Sequence, residues 1–334
     1  MIRKKLLLTG ASGFIGSNVM SIALSQGYDV KNVDIRRPQF PQHEAYWSNI
    51  DVRSGRQLRD AIVAFRPERI LHLASDTDVN LRRIDDYKTT IEGTKNVVEA
   101  AKQLPNLECF VHISTQYVVK PGVRPLSDKW LQPYTLYGEA KAETERIIWG
   151  NEIRAPWVIL RPSIIWGPRH PSFANAIWKY IANGRYRHPG AGMPIVRCYG
   201  YVKNTADQMM AFVNLANESS TRRVYYLGDE CMNYDRWADA FAERLTGRPA
   251  RRMSRRLLFM LGVAGQGAKT VGARVPFDMG RYFRMTTNAE VDLAPTFELV
   301  GSPKIPFEQG LEDTIEWLVA TYPDRYHRAK IADE

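Results

Sequence analysis

Residues Thr9–Gly16 read TGASGFIG, with glycines at Gly10, Gly13 and Gly16. Before them Leu6, Leu7 and Leu8 form a short apolar run, as a buried parallel strand requires, and after them Ile15, Val19, Ile22 and Ala23 recur at helical spacing. A glycine turn between strand and helix lets a dinucleotide pyrophosphate reach the backbone, where the helix N-terminus offers unpaired N–H groups and partial positive charge. An acid is expected about 20 residues on, at the end of the second strand, to hold the adenosine ribose hydroxyls. Asp34 closes the run Tyr28–Asp34 at that place. A lone glycine pattern also fits a tight turn with no ligand; strand, helix and acid together favour a dinucleotide.

The chain has 334 residues, 44% hydrophobic and 25% charged, which suits an ordinary globular protein of two lobes rather than a disordered or membrane chain. The basic residues before Leu6 resemble the start of a signal peptide, but the apolar run is too short and passes straight into the glycine turn. The net charge of +10 comes without a lysine-rich run or aromatic-interleaved patch, so a small anionic cofactor and substrate are expected rather than nucleic acid. Cys109, Cys198 and Cys231 lack metal-ligand spacing, and their odd count argues against a disulfide framework. The chain reads as cytoplasmic and metal-free. Leu257–Ala264 is apolar but much shorter than a membrane crossing. Its flank of Arg251, Arg252, Arg255 and Arg256 permits surface attachment, although an amphipathic lobe helix is the favoured reading.

The expected elements alternate. A loop over 36–46 leads to a strand near Trp47–Val52, closed by Asp51 and Val52; a helix over 58–65 precedes the strand Arg69–Ala74, with Ala74 and Ser75 at its ligand-facing end. Tyr87–Gln103 reads as a long helix and Cys109–Ser114 as a strand with Ser114 and Thr115 at its exit. Tyr137 and Lys141 then stand four apart on one helical face, where an ammonium lowers a tyrosine's pKa and makes it a general acid or base. The same spacing also occurs on solvated helix faces. Beyond Arg169 the chain is punctuated by prolines and glycines, as expected of a substrate lobe; Val224–Leu227 reads as a late strand, Trp237–Thr246 as a helix capped by Gly247, and Phe307–Thr321 as a closing amphipathic helix. Arginines over 251–290, Arg281 and Arg284 among them, suit either phosphate or a solvated surface.

TGASGFIG at 9–16, Asp34, HLAS at 72–75, EGT at 92–94, HIST at 112–115, YGEAK at 137–141, LRPSIIWGP at 160–168 and YVKNTAD at 201–207 follow one another as in the extended short-chain dehydrogenases/reductases of the NAD-dependent epimerase/dehydratase group, which the whole chain resembles. The resemblance implies an α/β fold, a doubly wound Rossmann sheet binding NAD over residues 1–165, with about 195–230 returning to it, and a smaller substrate-binding lobe in 166–330. It places Gly10, Ser12, Gly13, Phe14, Ile15, Gly16, Asp34, Ile35, Arg36, Asp51, Val52, Leu73, Ala74, Ser75, Ser114, Tyr137, Lys141, Arg161, Pro162 and Ile164 at the cofactor. Tyr137 becomes the catalytic acid/base, Lys141 its tuning group on the nicotinamide ribose, and Thr115 the partner of the reacting oxygen. Thr115, Gln116, Arg197 and Arg281 are placed at the substrate, with Arg197 matching an arginine that nucleotide-sugar enzymes use on the diphosphate.

Departures from that pattern narrow the chemistry. Sugar dehydratases carry an Asp-Glu pair after the position of Thr115; Gln116 and Tyr117 stand here, and neither can run an elimination. Ile164 replaces an asparagine common in nucleotide-sugar members, Thr90 replaces another before EGT, and RPSIIWGPRHP is similar to the 3β-hydroxysteroid branch. The expectation is epimerisation of a nucleotide sugar through transient oxidation by NAD. The alternatives are a net-redox dehydrogenase or ketoreductase on a 4-keto sugar or sterol-like alcohol, and a non-catalytic NAD sensor. A homodimer is expected through the apolar faces of helices at about 87–103 and 137–149, with no nucleic acid partner and no integral membrane segment.

Overall fold

The computed structural model describes residues 3–79, 81–190, 194–215, 222–273, 275 and 277–329. The chain divides into two compact units. The first comprises the residues up to Ile165 with Gly200–Asp229 and Val291–Ile305; the second comprises Trp166–Tyr199, Glu230–Glu290 and the residues from Pro306 on.

The first unit is built on a seven-stranded parallel sheet of β1 (Lys5–Thr9), β2 (Asp29–Asp34), β3 (Trp47–Asn49), β4 (Arg69–His72), β5 (Cys109–Ile113), β6 (Trp157–Pro162) and β10 (Arg223–Leu227). Their order is β10-β6-β5-β4-β1-β2-β3, a doubly wound sheet that reverses between β1 and β4. Every pairing is parallel. The alternation of a strand decides which helices each side chain meets. Leu6, Leu8 and Leu71 pack in one cluster with α1 (Phe14–Ser25) and α7 (Val202–Asn214), through Val19, Met20, Met209 and Phe212. Leu7 and Ile70 belong to the opposite cluster with α2 (Gly55–Phe65), α3 (Lys88–Lys102) and α4 (Leu136–Trp149), through Leu58, Ile62, Val97, Val98, Ile147 and Ile148. The short helix α11 (Ala294–Val300) adds Leu299 and Val300 to the first cluster.

Two boundaries differ from the sequence reading. β3 ends at Asn49, and Asp51 lies in the turn that follows, where its carbonyl accepts the Ser54 N–H at 2.9 Å. α2 begins at Gly55 rather than at residue 58. α7 begins at Val202, where the Asp229 carboxylate takes the Tyr201 N–H at 2.7 Å and Asn204 Nδ2 at 3.1 Å, turning the chain into the helix at once.

The expected apolar outer faces of α3 and α4 are also absent. Their apolar residues are spent on the sheet. Outward, α3 shows Lys88, Glu92, Lys95, Glu99 and Lys102, and α4 shows Glu139 and Arg146.

The chain enters and leaves the second unit within β7 (Ile164–Trp166) and β9 (Val196–Tyr201). This unit holds α5 (Pro171–Asn175), α6 (Ile177–Ala182), α8 (Tyr234–Thr246) and α12 (Phe307–Thr321), whose core gathers Trp166, Trp178, Trp237, Phe241 and Phe307 in edge and tilted ring contacts. The two-residue strands β8 (His188–Pro189) and β12 (Arg252–Met253) pair in parallel. β11 (Glu230–Asn233) runs antiparallel to β9 and sets Cys231 opposite Cys198 and Met232 opposite Arg197. α9 (Arg255–Thr270) and α10 (Met279–Thr286) pack together beyond β12.

Candidate active site

The glycine turn sits at the C-terminal end of β1, beside the reversal of strand order, the place where open parallel sheets bind ligands. Gly10 has φ +75°, and a Cβ there would stand 2.7 Å from the Ala74 amide nitrogen, so only glycine lets this loop pass the end of β4. Gly13 caps α1 without a side chain, which leaves the first-turn N–H groups of the helix for an anion. The Asp34 carboxylate is buried and accepts the Ser12 N–H at 3.0 Å and the Arg36 N–H at 2.9 Å. It ties the glycine loop to β2 and keeps lone pairs for ribose hydroxyls. Ile35 and the Arg36 side chain are exposed beside it.

Several residues that the sequence reading passed over complete the cradle. Asn32, fully buried on β2, accepts the Ala11 N–H at 3.2 Å and donates to Ser12 Oγ at 3.1 Å. His72 joins Thr9 Oγ1 at 2.6 Å and Thr94 Oγ1 at 3.0 Å, and Thr9 Oγ1 accepts the Ala74 N–H. Burial pushes His72 down to about 3, so it stays a neutral connector. Thr90, unexplained by the family pattern, also has a structural use. Its hydroxyl meets Ser75 Oγ at 3.0 Å and accepts the Asp76 N–H at 2.9 Å, holding the strand exit that carries Leu73, Ala74 and Ser75.

At the end of β5, the Thr115 side chain lies close enough to the phenol of Tyr137 to lower its pKa. The contact depends on Gly138. A Cβ there would stand 3.0 Å from the Tyr117 carbonyl carbon and closer still to its oxygen, so glycine is what lets α4 lie against the short turn Gln116–Val118. Thr135 caps α4, accepting the Gly138 N–H at 3.0 Å. Lys141 is buried, and its ammonium donates to the Ile113 carbonyl at 2.8 Å.

Burial pushes Lys141 down to about 8, with Glu145 and Asp76 holding it up against that pull. Burial likewise pushes the Tyr137 phenol above its ordinary value, the Thr115 side chain offsetting part of the rise. The expected downward shift from the lysine is not found: desolvation dominates, Lys141 is not among the groups acting on the phenol, and its ammonium is engaged by the Ile113 carbonyl. Gln116 is buried next to Thr115, with its Oε1 lacking a hydrogen-bond partner.

Two expected cofactor side chains are committed elsewhere. Arg161 gives Nε and Nη2 to the Glu145 carboxylate at 2.9 and 2.6 Å, Nη2 also to the Asp128 carbonyl at 2.9 Å, and Nη1 to the Tyr226 hydroxyl at 3.1 Å. Glu145 also takes the Ser114 hydroxyl. Arg161 is 1% exposed with all three nitrogens used, so it braces β6 and α4 rather than a ligand. Asp51 is held by Arg53 at 2.6 Å, which keeps its carboxyl below the usual range. Val52 turns its side chain to Gly93, leaving only backbone for a base. Pro162 ends β6 and Ile164 opens β7. Phe14 and Ile15 start α1, and Gly16 follows them. Because the sheet is parallel, the ends of β1, β2, β4, β5 and β6 lie along one edge and bring the remaining residues there.

In the second unit Arg197 lies on β9, 9% exposed, with its guanidinium carbon 4.5 Å from the centre of the Tyr234 ring. Among the described residues it donates only to the Thr287 carbonyl at 3.4 Å, its Nε has no partner, and it meets no carboxylate. Arg281 stands in the first turn of α10, its N–H bonded to Asp278 at 2.9 Å. Cys198 and Cys231 are joined as a disulfide across β9 and β11. The odd cysteine count spoke against a framework, but one cross-strand pair needs only direct register, and buried Cys109 is the one left over. No group of metal-ligating side chains occurs among the described residues.

A family model described as the NAD dependent epimerase/dehydratase family matches residues 6–228. The chain belongs to that family. It is a family of NAD-dependent enzymes, and the residues fit the cofactor: the start of α1 has no side-chain cap, and the Asp34 carboxylate lies beside the glycine turn. Among relatives, the chain is 26% identical to a 3-beta-hydroxysteroid dehydrogenase of Mycolicibacterium neoaurum, over 55% of the chain and 53% of that protein. It is 27% identical to an N-acetyl-alpha-D-glucosaminyl-diphospho-ditrans,octacis-undecaprenol 4-epimerase of Escherichia coli O157:H7, over 67% of each. The chain thus spans about half of the first relative and two thirds of the second. A UDP-glucose 4-epimerase of Thermotoga maritima, solved with UDP-glucose, superposes with a TM-score of 0.74 at 22% identity, over 95% of the chain and 99% of that structure, which shows the shared fold. Among the described residues no helix is long and apolar enough to cross a membrane.

Proposed function

We propose that the protein is an NAD-dependent epimerase of a nucleotide-activated sugar, acting by transient oxidation of one hydroxyl to a ketone. The first unit binds NAD and carries the chemistry, and the second contributes substrate contacts. Held by the glycine turn and Asp34, bound NAD would supply reversible hydride transfer. Thr115 and Tyr137 hold the reacting oxygen between two hydroxyls. Tyr137 moves the proton, and its phenol rests protonated, ready to donate. Gln116 Oε1, buried without a donor, is suited to a sugar hydroxyl. With Gln116 and Tyr117 in place of an acid pair, elimination has no acid and base to run it.

The observation that carries the anionic substrate is Arg197. A guanidinium held at 9% exposure with no carboxylate among the described residues leaves a charge to be met, and a phosphate meets it with charge-assisted bonds of roughly 1.5–3 kcal/mol each. Arg197→Ala should raise KM for UDP-, GDP- or dTDP-sugars by about tenfold to a hundredfold with NAD affinity unchanged. Turnover confined to uncharged sterol-like alcohols, indifferent to Arg197→Ala, would overturn it.

Half-buried Ile164, in place of an asparagine, favours a second reading, net oxidation or reduction of an apolar alcohol. Steady change in NADH absorbance separates the two, because an epimerase returns its hydride. Under either reading Tyr137→Phe should cut turnover by several orders of magnitude and leave NAD binding nearly intact; normal turnover in that variant would remove Tyr137 from the mechanism.

A further inference from the structure

Helix α9 reads RRLLFMLGVAGQGAKT and contains no acid. It opens on Ser254, whose hydroxyl takes the Leu257 N–H at 3.3 Å, and its buried residues are Leu258 and Gly262. That buried side faces α10: a Cβ on Gly262 would stand 3.0 Å from Met279 Sδ and 3.4 Å from Tyr282 Cβ, and the Phe259 and Tyr282 rings meet edge to face at 5.4 Å. The rest of the first turns points outward. Leu257, Phe259, Met260, Leu261 and Val263 are 42 to 58% exposed, and Phe283 on α10 is 57% exposed. Scattered apolar residues on a surface need no explanation, but a run of five on one helix marks an interaction site.

Charge says what covers it. From Arg251 to Arg284 the chain has eight basic residues and one acid, Asp278. That acid is already held by Lys269 at 2.9 Å and by the Arg281 N–H. Arg251 and Arg256 are exposed and form no ion pair among the described residues. The first turn of α9 places arginines on the positive end of the helix dipole and has no acid to offset them. Helix stability does not account for that placement, whereas an anionic surface does. A second copy of the chain would bring two basic rims together.

We propose that α9 and α10 form a docking face for an anionic lipid surface, with α9 lying in the headgroup plane, its apolar side chains in the acyl boundary and its arginines on lipid phosphates. Sixteen residues extend about 24 Å, short of the roughly 30 Å hydrocarbon core, so the helix lies on the bilayer rather than crossing it. This inference is independent of the substrate assignment, and its readout is binding.

The full chain should co-sediment with vesicles of phosphatidylcholine and phosphatidylglycerol at low salt, lose that binding as salt rises, and ignore vesicles of phosphatidylcholine alone. Leu257→Glu with Met260→Glu should abolish binding. Arg251→Ser with Arg256→Ser, on exposed positions that leave folding alone, should weaken it by about thirtyfold. Melting temperature and NAD titration report that each variant is folded. Absence of binding to the anionic vesicles, salt-independent binding to both kinds, or a solution dimer that the same substitutions split would each overturn the proposal, the last in favour of a second copy.

Discussion

Gly138→Ala tests the way the fold brings Tyr137 to Thr115. The added methyl would lie 3.0 Å from the Tyr117 carbonyl carbon and nearer its oxygen, where ordinary contact begins at 3.4 Å. The obstacle is backbone in the turn Gln116–Val118, which cannot swing aside as a side chain would. Relief therefore requires α4 and that turn to part by an amount on the order of 1 Å, and a displacement of that size at reacting groups costs about a hundredfold in rate. Because α4 also carries Lys141, the ammonium bond to Ile113 at 2.8 Å is stretched by the same movement. The glycine loop, Asp34 and Asn32 lie at β1 and β2 and are untouched. Gly138→Ala should thus lower kcat for the nucleotide sugar about a hundredfold, leave the NAD dissociation constant within a few fold, and lower the melting temperature modestly. Glu139→Ala, at the exposed neighbouring position, should do none of this. A Gly138→Ala enzyme with wild-type kcat would refute the reasoning, since the turn would then yield without moving the tyrosine.

Lys141, pushed down to about 8 against a normal 10.5, releases its proton in the folded chain while the unfolded chain still holds it, so its contribution to stability rises with pH between those values. The melting-temperature difference, Lys141→Met minus wild type, should therefore be more positive at about pH 7.5 than at about pH 10; equal differences would place the ammonium in a more solvated setting. A homodimer formed through α3 and α4 would meet charge against charge at Lys88, Glu92, Lys95, Glu99 and Lys102. Light scattering should then show a dimer at low ionic strength and a monomer at about 0.5 M salt, and a salt-resistant dimer would mean another interface.

What could be read from the sequence was what short-range geometry dictates. Three glycines before a helical pattern, an acid at a strand end, and a tyrosine four residues before a lysine each carry their meaning within one turn of chain. What could not be read depends on contacts between distant segments. Thr90 gains its role only when α3 is laid against the exit of β4, Asn32 only when β2 is paired to β1, and Cys198 meets Cys231 only through the register of β9 and β11. The helical period of α3 and α4 was legible, but it does not say whether the apolar side meets the sheet or a second subunit; the sheet claims it.

The two arginines make the same point about function. Arg161 and Arg197 both lie on strands, both are buried, and both were assigned to ligands by resemblance. For Arg161 the fold supplies Glu145 with two short bonds, so its charge is neutralised from within, and removing either partner would strand the other at a cost of about 3–5 kcal/mol. For Arg197 the described residues supply an aromatic face and one long bond to a carbonyl, and no negative charge. Burial of a cation is tolerated in the first case by an internal counter-ion and in the second by a ring face, which attracts the cation but carries no net charge to neutralise it. Among the described residues one arginine has a counter-ion and the other has none, and the proposed phosphate contact rests on that difference. That difference is invisible in a string of residues, and it is why Arg197 rather than Arg161 carries the proposed substrate.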